Sequence, residues 1–255
     1  MALDSIRRKT DRGRTVARAA RIFAIACAVL LLVAPQAPAA SEKMSLRYLR
    51  GVYVLRNLNP DGDRPGVTVP RQVRTHDTTS ALLAHPDKTF VLESVARDLT
   101  AAMKTGKFPE SGYYAAQALA MLGKHAEAAA AMQSYLAAAS FREDEYLFLV
   151  RELHAAAAYA EVITAAREWQ ARAADSGHLC SEERLAYAWG SFQARGMYRE
   201  AMEEVLSDPC ASWRGQVFFA KSSLDLGDAE GAYARVRSIA ERFPDKRSEI
   251  ETLWD

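Results

Sequence analysis

The sequence predicts an all-α protein: an α-α superhelix, a solenoid of about four helix-turn-helix units with a capping helix at each end. Three observations predict it. Beyond Pro86 apolar residues recur with a helical period and little else intervenes but short turns. Alanine dominates the same region, including Ala128 to Ala131 and Ala155 to Ala158, and alanine both favours helix and lets helix axes approach closely. A short pattern built on a small residue returns at Gly123, Ala157, Gly196 and Gly227, with spacings of 34, 39 and 31 residues.

The chain has 255 residues, 49% hydrophobic and 25% charged, a globular composition that excludes a disordered or collagen-like chain. Residues 1 to 39 hold seven basic side chains (Arg7, Arg8, Lys9, Arg12, Arg14, Arg18 and Arg21) against Asp4 and Asp11; the remainder carries 26 basic and 30 acidic residues, a net charge of −4. Such a balance offers no continuous basic surface, so no nucleic acid is expected as a partner.

The first element is a leader, residues 1–39. An arginine-rich stretch precedes the apolar run Ile22 to Ala34, and Ala37-Pro38-Ala39 sets small residues where a signal peptidase inspects the chain. Thirteen apolar residues of helix span about 20 Å, short of the ~30 Å hydrocarbon core. A cleaved secretory signal is therefore the reading, with the mature protein periplasmic, envelope-associated or secreted. The alternative is an uncleaved segment anchoring the chain in the inner membrane, the sole membrane contact expected. Arg7-Arg8 lacks the hydrophobic residue a twin-arginine signal carries, and the apolar run continues past Cys27, unlike a lipid-attachment site.

Residues 40–86 are read as an N-terminal helix followed by a linker. Leu46, Leu49, Tyr53 and Leu58 make one helical stripe, after which Pro60, Gly62, Pro65, Gly66 and Pro70 interrupt any long helix. Asn57, Asn59, Asp61 and Gly62 imitate the start of a calcium loop, but Thr68 stands where such a loop needs a bidentate carboxylate; plain turns use the same residues. From residue 87 to 255 the helical domain follows. Leu92, Val95, Leu99, Ala102 and Met103 line one face of its first helix, with Gly106 placed to end it in a left-handed cap.

Four segments then align: Leu122 to Ala128, Ala156 to Val162, Arg195 to Ala201 and Leu226 to Ala232. Two residues after each small turn residue come His125, Tyr159, Tyr198 and Ala229, and five after it Ala128, Val162, Ala201 and Ala232. Before the turns, Ala115, Leu149, Ala188 and Phe219 are expected to face inward, backed by Leu119, Leu153 and Phe192. A small residue reverses the chain, an aromatic packs over the turn, and a second small residue lets the two helices touch. This pattern resembles the tetratricopeptide repeat (TPR) family over about residues 109 to 244. Departures from the family pattern are Ala157 in place of glycine, Asp208 at a position that should be apolar, and a closing proline only at Pro244. The resemblance implies capping by the helix at 87 to 105 and by residues 245 to 254, where Ile250, Leu253 and Trp254 share a side.

The same resemblance places Cys180 at the start and Cys210 at the end of the third unit, close enough to pair in an oxidising compartment. That disulfide would close a loop of about 30 residues and stabilise by roughly 3 to 4 kcal/mol. A metal site there lacks ligands beyond His178.

No phosphate loop, nucleophile elbow or zinc-binding His-Glu-x-x-His helix occurs. His76, His85, His125, His154 and His178 have no ligand rhythm, and the pairs Glu182-Glu183 and Glu203-Glu204 read as solvated helix faces. No cofactor, metal or catalytic residue is expected. In the TPR family certain positions of each first helix face a concave groove, and the resemblance carries these to Tyr113, Gln117 and Met121, to Asp144, Arg151 and His154, to Gln193, and to Arg214 and Lys221. Such a mixed surface suits a protein or peptide partner, taken as an extended segment or a helix. The expected function is a non-catalytic scaffold or adaptor of the bacterial cell envelope. The alternatives are an envelope enzyme or small-ligand carrier built on a helical solenoid, and an anchored subunit of an envelope complex.

Overall fold

The structure, a computed structural model, describes residues 36–60, 67–177, 181–209 and 212–255. The apolar run of the leader, Asp61 and Gly62 of the calcium-loop imitation, His178 and both Cys180 and Cys210 lie outside the described residues. Among the described residues the protein is all-helical, without a strand. The helices are α1 Gln36–Leu58, α2 Arg71–Arg74, α3 Asp77–Leu83, α4 Lys88–Met103, α5 Ser111–Met121, α6 His125–Leu136, α7 Glu143–Ala155, α8 Tyr159–Asp175, α9 Glu182–Ala194, α10 Tyr198–Ser207, α11 Trp213–Asp225, α12 Ala229–Arg242 and α13 Arg247–Trp254. From α4 to α13 each helix packs on the next, the sequential contact pattern of an α-helical solenoid.

The four small-residue turns are built alike. Gly123, Ala157, Gly196 and Gly227 are left-handed, with φ of 70°, 56°, 69° and 94°. Each donates its N–H to the carbonyl three residues back at 2.9 Å, and the following residue donates to the carbonyl five back at 2.9 to 3.0 Å. This paired closure satisfies carbonyls the helix end would leave free. The next residue, Lys124, Ala158, Met197 or Asp228, has φ between −94° and −84° and ψ between 58° and 69° in every unit. The second helix therefore leaves each turn along the same path. Ala157 adopts this path despite its Cβ, at a cost of roughly 1–2 kcal/mol.

Packing follows from the same register. Ala128, Val162, Ala201 and Ala232, five residues after each turn, are all fully buried, a short side chain at the same place in every second helix. Ala115, Leu149 and Ala188 are buried as expected, but Phe219 is only half-buried, and Val217, Phe218 and Ala220 take the inward direction in α11. Gly106 ends its helical stretch left-handed, with φ of 67°.

Three expectations change in the tertiary structure. The helix at 87 to 105 does not end the array, because α1 packs along α4 and buries Tyr48, Val52, Val54 and Leu55 there. The segment read as linker carries α2 and α3 and buries Val69, Val73 and Thr79, since both short helices pack on α1. Asp208, which breaks the apolar pattern, has its side chain out of solvent against the guanidinium of the buried Arg184. Glu204 is likewise buried, with Arg184 at 3.5 Å and Arg167 at 3.3 Å; an acid on a helix reads as solvated when its partner lies on another helix.

Candidate interaction face

The first helices α7 and α9 touch directly, as do α9 and α11, and α13 touches α11. Together they form one face; of the positions singled out in the sequence, those on α7, α9 and α11 belong to it, while Tyr113, Gln117 and Met121 lie on α5. Met121 is exposed at 42%, while Gln117, four residues earlier, is buried at 7%, so the expectation that Gln117 faces a groove meets a position turned toward the neighbouring helices. Tyr113 is half-buried, its ring 5.3 Å from Tyr114 and 5.8 Å from Tyr135. Asp144 is exposed and accepts hydrogen bonds from Arg142 at 2.9 and 3.2 Å.

Arg151 and His154 are the pair the structure leaves open. They lie one turn apart on α7, both exposed, and Arg151 has no ion-pair partner among the described residues. The His154 ring stands between two tyrosines, 5.4 Å from Tyr159 and 5.6 Å from Tyr187, nearly perpendicular to both. Aromatic edges and faces arranged this way hold the imidazole in place without a hydrogen bond.

The remaining positions are used within the array. Gln193 donates to the Ser222 hydroxyl at 3.1 Å, beside the Trp189 indole N–H, which donates to the same oxygen at 2.9 Å. Arg214 pairs with Glu182 at 3.2 Å and lies 3.8 Å from Glu249. Lys221 donates to the Leu253 carbonyl at 2.8 Å, where a cation meets the negative end of α13. Glu249 also accepts from Lys246, and that bond first, then Arg214, holds its carboxyl below the usual carboxylate range.

Between α9, α11 and α13 lies a cavity of about 450 Å³. Ala186, Trp213, Phe218 and Leu253 supply its apolar walls, and Arg214, Ser248, Glu249 and Thr252 its polar rim. A second cavity, of about 370 Å³, opens between α6, α7 and α8, lined in part by Gln133, Glu161, Thr164 and Glu168; none of the positions chosen from the sequence lines it.

Sequence reasoning missed Tyr187, Trp213 and Phe218. One signal was available: nine residues before each turn residue stand Tyr114, Phe148, Tyr187 and Phe218, an aromatic in every first helix. The described residues contain no cluster of three potential metal ligands and no helix long and apolar enough to cross a membrane. Comparison of the chain with known protein families, curated proteins and solved structures finds no match.

Proposed function

We propose that the chain is a non-catalytic protein-binding scaffold, a TPR-like superhelix exported to the bacterial cell envelope, that takes a peptide or partner helix on the face of its first helices. The observation that carries this reading is the identity of the four turns, in backbone dihedral and in hydrogen bonding. Equal turns bring the first helices into a common register, and a row of helices in register presents a continuous surface suited to an extended ligand. On that surface Arg151, His154 and Tyr187 offer a cation and aromatic rings, the side-chain types that most often anchor a protein interface. Export rests on the leader; removing residues 1–39 leaves intact the part of α1 that enters the core, from Tyr48 onward.

The test is site-specific photocrosslinking in envelope extract. A photoreactive residue at Tyr187 should capture a discrete partner, and the same residue at Glu161, on the second-helix side, should not. Adding Arg151→Glu with His154→Ala should reduce capture at least tenfold, corresponding to about 1.4 kcal/mol, with the helical circular dichroism unchanged. Equal capture from both faces, or capture indifferent to the double substitution, overturns the reading. Terminal sequencing of the purified protein should find a start near Ala40.

A further inference from the structure

The cavity between α9, α11 and α13 is preformed, because every apolar wall that could fill it is engaged elsewhere. Phe218 stacks on Trp189 with ring centroids 4.4 Å apart and planes 13° apart, so its ring cannot swing inward. Trp213 lies beneath the Arg214 guanidinium, whose carbon is 5.3 Å from the ring centroid. The Leu253 side chain, like that of Trp213, packs against the cluster of Val217, Ile239 and Ile250, and the Leu253 carbonyl accepts a hydrogen bond from Lys221. Ala186 is too short to reach across. An opening of about 450 Å³ with aromatic walls is within the range of small-ligand sites and larger than a single bulky side chain.

The rim decides what kind of group enters. The charge of Arg214 is already met by Glu182 and Glu249, so a charged ligand would have to displace an existing ion pair. Ser248 and Thr252 add hydroxyls, and the rim as a whole offers both donors and acceptors without a net excess of either sign. That combination matches an uncharged peptide main chain crossing the mouth while one apolar side chain goes in.

We propose that this cavity receives a single bulky apolar side chain, aromatic or branched aliphatic, from the partner peptide. This rests on the scaffold reading above and names the anchor that such a partner would carry. Ala186 and Thr252 both line the pocket, so lengthening either fills it.

Titration of the isotopically labelled full chain with N-acetyl-tryptophanamide and N-acetyl-leucinamide should produce saturable amide shifts at Ala186 and from Ser248 to Leu253, with millimolar affinity. N-acetyl-alaninamide and N-acetyl-lysinamide should bind at least tenfold more weakly. Ala186→Trp and, separately, Thr252→Trp should each weaken the tryptophan probe at least tenfold; Thr252 is exposed, so its variant keeps the test informative where Ala186→Trp perturbs the packing of α9. No shifts at these residues, or shifts equal for the alanine or lysine probes, or shifts unaffected by Thr252→Trp in a folded variant, overturn the inference. If Tyr187 crosslinking persists while the probes fail, the cavity is not the anchor and the scaffold reading stands. If the probes bind as expected while Tyr187 captures no partner, the cavity exists but its place on a protein-binding face falls.

Discussion

From α1 to α8 the buried apolar residues form one cluster running from Tyr48 to Ala173, whereas beyond it the core divides into Ile163 with Phe192 and Ala201, and Val217 with Ile239 and Ile250. Polar groups occupy the difference. Arg184, Glu204 and Asp208 are buried together between α9 and α10, Ser222 is buried where α11 meets Trp189 and Gln193 of α9, and Ser191 and Ser223 are buried as well. Apolar contact is non-directional and roughly additive in area, so the first region gains stability from every residue it buries. Buried ions and hydroxyls are directional and give back most of their attraction as desolvation. Burial lowers the pKa of the Arg184 guanidinium, against the attraction of Glu204. The second region is thus held by geometry more than by area, and it is also the region that supplies the cavity.

The sharpest way to break the comparison is Arg184→Ala. It takes the Arg184 counter-charge away from the buried side chains of Asp208 and Glu204, leaving Glu204 the exposed Arg167, and should cost about 3–5 kcal/mol, with hydrogen exchange accelerating over residues 182–225 before it does over 88–175. Replacing Arg184, Glu204 and Asp208 together by methionine and leucines should recover most of that loss, because the desolvation cost disappears with the charges. A full loss in the triple variant would show that the ions contribute net stability. In the apolar region the matching experiment is Leu99→Ala at a fully buried site, with an expected cost of about 2–5 kcal/mol in urea titration; no recovery is expected there from any polar replacement.

The turns sharpen the comparison at smaller scale. Gly196→Ala should cost about 1 kcal/mol, since the left-handed backbone then carries a Cβ. Ala157→Gly removes that same penalty and should leave stability level or raise it by up to about 1 kcal/mol. A loss at Ala157→Gly would mean that its methyl packs in a way the left-handed cost does not capture.

The two regions should also differ in pH response. Burial first, and for Tyr146 its hydrogen bond to Glu168, raises the phenol pKa values of Tyr48 and Tyr146 well above the ordinary one. A group whose folded pKa is raised contributes stability that is complete below its unfolded pKa and is lost as pH climbs toward the folded one. The apolar region should therefore weaken above about pH 10, and Tyr146→Phe should lessen the slope of that loss. Glu249 has the opposite sign. Its lowered pKa gives stability that is present above the usual carboxylate range and lost as pH falls through the folded value. The smallest expected effect is a fraying of α13 as pH falls below about 4, detected as faster exchange at Ser248 to Leu253 and absent in Glu249→Gln.

The sequence by itself determined the elements whose causes are local. Left-handed turns need glycine or a tolerant small residue, a helix needs its 3.6-residue stripe, and both leave marks within a few positions; so Gly123, Ala157, Gly196, Gly227 and the buried small residues five places later were legible. The exposure of Arg151 and His154 was legible too, because it follows from the same stripe. What only the tertiary structure decided depends on groups distant in sequence. Asp208 stood at a position expected to be apolar until Arg184 supplied its counter-charge, Gln117 at a groove-facing position is buried, and Arg214 and Lys221 are engaged by Glu182 of α9 and by Glu249 and Leu253 of α13. A helical pattern states which side of a helix is apolar, but which charge meets which, and where two helices fail to close and leave a cavity, is fixed by how the units stack.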